Sequence, residues 1–291
     1  MTRVLAIDLG GTNMRTALYA GNASALNMLM HEQAPANRTA FVDRLTALRA
    51  EASDIEAIGF AVPGLVEGTS CRWIPNLPYL DGLDMQALFP DLRVGIGNDA
   101  QIALLAEANA GAARGMSDVI LLSIGTGIGS AVLANGGIVQ GSRGGACSFG
   151  WACADMDDPG EERSGWLERV ASGRALDAIA QRLGLADGAA LIAAARAKDP
   201  TARAALQRPA GQLGLALAGA VALLDPQAIV VSGGIADALD VLGPTILASM
   251  RRQLPAHLRD IGIRAGAFGP RAALVGAALA GAAGAEWRRT R

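Results

Sequence analysis

One lysine, two histidines and three cysteines in 291 residues remove several chemistries at the outset. Lys198 sits in ARAKDP with no glycine loop ahead of it, so there is neither a Walker lysine nor a Schiff-base site. Any phosphate must then be held by backbone and metal. His31 and His257 are far from any cysteine pair or serine motif, which argues against histidine-centred catalysis. Cys71, Cys147 and Cys153 are an odd number in a long chain and read as small buried thiols, not a disulfide framework. No apolar run approaches the ~20 residues that span a bilayer, and the first residues lead into a strand without a secretory pattern. A cytoplasmic setting is expected. A net charge of −2 and a pI near 5.7 provide no basic field for nucleic acid or an anionic membrane. Small molecules are the default partners.

What is present is glycine in particular places. A chain with 51% hydrophobic and 18% charged residues is globular and long enough for two modest domains. VLAIDLGGTNMRTALY at 4–19 places an acid and two glycines at the tip of a hairpin between apolar strands, and LLSIGTGIGSAVLANG repeats the device. Gly10 and Gly11 permit positive φ and close approach of main-chain N–H groups around an anion, with Thr12 and Asn13 adding short polar groups. Asp8 ends the run Val4-Leu5-Ala6-Ile7 and is better suited to a hydrated Mg²⁺ than to a strand interior. Taken alone, DLGGT reads equally well as a tight hairpin. The second turn, Gly125-Thr126-Gly127, shifts that balance because it again joins strand to strand, 119–124 to 130–133. A dinucleotide-binding glycine loop would open a helix instead, which argues against that reading.

The pattern predicts strands at 3–8, 14–20, 25–32 and 57–62, a helix at 39–51, and a proline- and glycine-rich loop from Pro63 to Pro90 that should line a site. A strand at 92–96 precedes a helix opening at Asn98-Asp99. Helices follow at 165–183, 186–198, 201–224, 236–254 and 271–286, with strands at 228–232 and 262–268. The two halves read as a distant duplication of one unit. The expected division is a small α/β lobe at 1–114 and a larger one at 115–291, the last helix being free to pack back on the first lobe.

Asp99 stands where a strand ends and a helix begins, so the helix N-terminus should keep it ionised and able to accept a proton from a bound hydroxyl. The plain alternative is an N-cap aspartate, which is the commoner use of such a residue. Its company decides. DLGGT, PNLP at 75–78, NDA at 98–100, GTGIG at 125–129, LERVASGRAL at 167–176, VVSGGI at 230–235 and LVGAALA at 274–280 occur in the order found in the ROK group of sugar kinases, and the chain resembles that group over nearly its whole length.

The resemblance implies a two-lobed actin-like ATPase of ribonuclease H-like topology, with a cleft between the lobes that closes on ATP and a sugar. It makes Asp99 the general base and Asp8 the organiser of Mg²⁺ through water. Gly10, Gly11, Thr12, Asn13, Gly125, Thr126 and Gly127 would hold phosphates, and Gly233 and Gly234 would approach the adenosine. Gly64, Asn76, Asn98, Asp99, Ser148 and Glu168 would contact the sugar, and a homodimer is the group's habit. Glu168 without the resemblance is an exposed helix glutamate.

The pattern also breaks. Where the group carries Gly-Glu-x-Gly-His, this chain has Cys147-Ser148-Phe149-Gly150-Trp151, and Trp166 stands where a cysteine ligand would follow Gly165. No structural zinc is expected, Trp151 and Trp166 serving as an apolar plug in its place. Loss of the glutamate puts glucose in doubt as substrate. NDAQ at 98–101 is shared with bacterial N-acetylmannosamine kinases and admits an N-acylated hexose. The sequence thus reads as an ATP-dependent sugar kinase acting on C6 of a hexose or N-acetylhexosamine, with a catalytically silent sugar sensor as the alternative. A repressor is disfavoured because Asp8 leaves no room for a preceding DNA-binding domain, and PNLP and NDA disfavour an actin-like or chaperone-type ATPase.

Overall fold

The computed structural model describes residues 2–21, 26–52 and 54–289. The chain divides into two compact units. One comprises residues 1–115, 136–146 and 271–291, and the other 116–135 and 147–270.

In the first unit β1 (Arg3–Leu9), β2 (Asn13–Ala20), β3 (Leu26–Gln33), β4 (Ala57–Val62) and a later strand β7 (Arg93–Asn98) form a sheet in the order β3-β2-β1-β4-β7. The expected start of β3 at residue 25 lies outside the described residues. Pairing is antiparallel from β1 to β2 and β2 to β3, and parallel from β1 to β4 and β4 to β7. Alternation along β1 sends Leu5, Ile7 and Leu9 into a core with Phe41, Leu45 and Leu48 of α1 (Arg38–Glu51). The opposite face carries Val4 and Asp8 and is covered by α9 (Ala272–Ala283), which also packs on α3 (Asp99–Ala110). The approach is backbone to backbone, since a Cβ on Gly59 would lie 1.8 Å from the carbonyl oxygen of Ala277.

The 63–90 stretch, expected as loop, contains the hairpin β5 (Leu65–Glu67) and β6 (Ser70–Trp73) and the short helix α2 (Met85–Leu88). Asp84 organises it by capping α2 through the N–H groups of Gln86 and Ala87 while accepting from Thr69 and Ser70. Pairs this short lack the length that makes a strand legible from alternation. A two-residue strand, β10 (Gly137–Ile138), bridges Gly137 to Arg289 in the same unit.

In the second unit β8 (Val119–Ile124) pairs antiparallel with β9 (Ile128–Ala134) and parallel with β11 (Ala228–Ser232), which pairs parallel with β12 (Ile263–Ala265). This repeats the path β2-β1-β4-β7, so the duplication read from two glycine turns extends to the strand order of each sheet. Five helices follow β9: α4 (Trp166–Ala171), α5 (Gly173–Arg182), α6 (Gly188–Arg196), α7 (Pro200–Leu224) and α8 (Leu239–Gln253). The single helix expected at 165–183 is two. Ser172 has extended backbone, φ −80° and ψ 172°, and its hydroxyl accepts from Ala175 N to cap α5. Continuous helical periodicity across the break concealed it.

Candidate active site

In the first unit β1 and β2 close on a turn in which Gly10 N donates to Asn13 O at 2.8 Å. Neither Gly10 nor Gly11 has positive φ, contrary to the sequence argument. Close approach requires Gly11 instead, because an added Cβ would lie 2.9 Å from Asn76 Cβ. The turn is thereby packed directly against the PNLP segment. Gly64 is held similarly, since its Cβ would fall 2.3 Å from the carbonyl oxygen of Trp73, and its own carbonyl accepts from Asn98 Nδ2 at 3.2 Å.

Asn98 is the N-cap of α3, its Oδ1 accepting from Ala100 N at 3.0 Å. Asp99, the first helical residue, therefore does not hold the cap position that the plain alternative assigned to it. Its Oδ1 also accepts from Ala100 N, at 2.8 Å. Burial pushes the Asp99 carboxyl above the ordinary aspartate range despite the opposing hydrogen bonds from Ala100 N, the Asn98 side chain and its own backbone. The expectation that the helix N-terminus dominates is thus corrected: desolvation outweighs it.

Asp8, with 16% of its side chain exposed, is pushed up to about 6, by burial first and by Asp99 second. Arg15 opposes this from β2, its Nη1 3.6 Å from Asp8 Oδ2. Arg15 is the cross-strand partner of Asp8 in the β1–β2 register and was legible as such once the hairpin was placed. The sequence reading passed over it. Asp8, the 10–13 turn, Gly64, Asn76, Asn98 and Asp99 thus belong to one neighbourhood of the first unit.

In the second unit Gly125 N donates to Gly127 O at 3.0 Å, and Gly173 N at the start of α5 donates to Gly125 O at 2.8 Å. Glu168 braces the far side of this turn. Its Oε2 accepts from Ile128 N at 3.0 Å and its Oε1 from Arg174 Nη2 at 3.0 Å, while Arg174 Nε donates to Thr126 O at 3.3 Å. A Cβ on Gly127 would meet the Glu168 carboxylate at 2.5 Å. The break at Ser172 is what brings Glu168 on one helix and Arg174 on the next to the same turn. Gly233, at φ 79°, lies against Ile124, and Gly234 and Ile235 join Ile124, Gly125, Leu176 and Ile192 in lining a cavity of about 350 Å³.

Ser148 is exposed in a segment that Ser130 staples, its Oγ donating to Cys147 O and accepting from Phe149 N. Cys147 takes positive φ, 67°. Trp166 is buried, but Trp151 is half exposed, so the two tryptophans do not form a joint plug as the sequence suggested. Close backbone packing fills that place, a Cβ on Gly165 falling 2.1 Å from the carbonyl oxygen of Gly150. Among the described residues no three His, Cys, Asp or Glu side chains are grouped to hold a metal, and no helix is long and apolar enough to cross a membrane.

Two units with the same mixed sheet, each opening on a glycine-turned hairpin, define the actin-like class of α/β folds. Residues 4–282 match the ROK family, and the chain belongs to it. It is 32% identical over 286 residues to the bifunctional enzyme NanE/NanK of Brucella melitensis, covering 91% of this chain but only 52% of that protein, so the chain spans about half that relative's length. It is 31% identical to the N-acetylmannosamine kinase of Shigella boydii, over 94% of this chain and 97% of that one. Among solved structures, a ROK family glucokinase from Streptomyces griseus in complex with glucose and AMPPNP is 28% identical with a TM-score of 0.80, over 97% of this chain and 100% of that chain.

Proposed function

We propose that the chain is a cytoplasmic ATP-dependent sugar kinase that transfers the γ-phosphoryl group of ATP to the C6 hydroxyl of a hexose or N-acetylhexosamine. The observation that carries this reading is Asp99, freed from the cap position by Asn98 and set beside Asp8 and the 10–13 turn with its carboxyl raised by burial. A raised pKa makes it a stronger proton acceptor at neutral pH. Asp99 takes the hydroxyl proton as the sugar oxygen bonds to the γ-phosphorus, and the bond to the β–γ bridging oxygen breaks so that ADP leaves with the electron pair. The transition state is loose, so alignment and charge neutralisation supply most of the rate.

The 10–13 and 125–127 turns present phosphate-binding backbone, and the cavity beside Gly233 and Gly234 takes the adenosine. Two neighbouring desolvated carboxylates, Asp99 adding to the rise at Asp8, suit a hydrated Mg²⁺, which commonly uses one or two carboxylates together with substrate phosphates, and Asp8 would hold it through water. When bound, it neutralises charge on the phosphates. Gly64, Asn76, Asn98 and Ser148 read the sugar hydroxyls, and Ser148 in place of glutamate favours an N-acylated over an unmodified hexose. Glu168 has both oxygens engaged by Ile128 N and Arg174 and falls outside the sugar set. The name of the Shigella relative points the same way. No structural zinc is part of the proposal, and a homodimer is.

A coupled ADP-release assay over hexoses, N-acetylhexosamines and ketohexoses, with Asp99→Asn as control, tests the reading. Turnover stimulated by one sugar class and lost in Asp99→Asn is expected. ATP binding without any sugar-stimulated turnover would establish the sensor instead.

A further inference from the structure

The nucleoside cavity of the second unit has one wall that the proposed reaction does not use. Gly188, Ala189, Ile192 and Arg196 line it from one face of α6, at the i, i+1, i+4 and i+8 positions that a helix turns to the same side. None of the described residues lining the cavity is aromatic, and Arg196 is the one cation among them. A purine gains most from a flat group laid on its face, and a guanidinium is flat, delocalised and weakly hydrated.

Arg196 is also held still. Its Nε and Nη2 donate to the two oxygens of Asp240, in the first turn of α8, at 2.6 and 2.7 Å, and Nη2 donates to Asp237 O at 2.8 Å. Fixing an arginine normally costs side-chain entropy on binding, but a fork already clamped from a second helix has lost that freedom beforehand. The same clamp matches its charge with a carboxylate. The guanidinium is therefore suited to the face of a base more than to a phosphate.

We propose that Arg196 is the stacking platform for the nucleotide base, and that it sets nucleotide affinity through the base alone. This rests on the ATP reading above. The test is isothermal titration of wild type, Arg196→Ala, Arg196→Lys and Asp240→Asn with ADP and, separately, with inorganic tripolyphosphate, which has no base. Base stacking on a planar group predicts about a tenfold loss of ADP affinity in Arg196→Ala, with tripolyphosphate affinity within twofold of wild type. Arg196→Lys, which keeps charge and loses the plane, should behave like Arg196→Ala and carries the test if the alanine variant does not fold. Asp240→Asn, which loosens the clamp but leaves the plane, should lose less. ADP binding unchanged in both Arg196 variants would overturn the proposal, as would equal losses for ADP and tripolyphosphate. Wild-type protein that binds no ADP would instead overturn the nucleotide reading itself.

Discussion

The turn at 10–13 and the turn at 125–127 occupy the same place in the same strand order, yet the carboxylates beside them are treated oppositely. Asp8 and Asp99 are desolvated and repel one another, with a single guanidinium 3.6 Å from Asp8 as partial compensation. Glu168 has one oxygen on a backbone N–H and the other on Arg174. The two hairpins repeat one scaffold, and burial raises the carboxyls beside the first while hydrogen bonds and an ion pair engage both oxygens of the one beside the second. Unsatisfied carboxylates are what proton transfer and cation binding need. A saturated one is a brace.

The largest effect should come from removing the reactive side of this contrast. Asp99→Asn keeps the size and the Ala100 contact but cannot take a proton, so kcat should fall by about 10²–10⁴ with sugar KM changed little. Steady-state ADP release measures both. A variant retaining a tenth or more of wild-type kcat would mean that the raised carboxyl is a by-product of burial and not the base.

Removing the brace should cost stability. Glu168→Ala leaves the N–H of Ile128 without its acceptor and opens space beside Gly127, which predicts a loss of about 1–3 kcal/mol in urea unfolding. A loss of sugar affinity with stability intact would show instead that Glu168 acts on the substrate, and the two turns would then be chemically alike.

Much of this contrast was legible in the chain. Asp8 after an apolar run and the repeated glycine hairpin are local signals and pointed to the strand order, whereas Asp99 as the proposed base came from the company NDA keeps with the other motifs along the chain. The brace was not legible, since it depends on Ser172 interrupting what reads as one helix and so turning Glu168 and Arg174 onto the same three residues. The direction of the Asp99 shift was missed for a related reason: a helix N-terminus can be read from sequence, whereas desolvation depends on what tertiary packing lays over it. Trp151 failed as a plug on the same ground, its exposure being set by how Gly150 and Gly165 meet.

The cost of leaving Asp8 unsatisfied should appear as pH dependence. Its folded pKa of about 6 lies above the ordinary 3.8, so between those values the native state binds more protons than the unfolded chain. Stability contributed by this group is therefore full below about 4 and lost as the pH rises to about 6. Asp8→Asn abolishes that loss and should be more stable than wild type by about 3 kcal/mol at pH 7.5, with a much smaller difference at pH 4. Urea unfolding of both proteins at the two pH values measures it, and a constant difference would place the Asp8 carboxyl near its ordinary range.

Arg174→Met should have the smallest effect, because an ion pair whose cation is 63% exposed is worth about 0–1 kcal/mol. The turn should keep its brace through Glu168 Oε2 and Ile128 N, and through Gly173 N and Gly125 O. Thermal unfolding at low and high salt distinguishes the cases. A drop near that of Glu168→Ala, or one that salt reproduces in wild type, would mean that the second turn depends on charge as the first does, and the division between a reactive and a saturated turn would be one of degree.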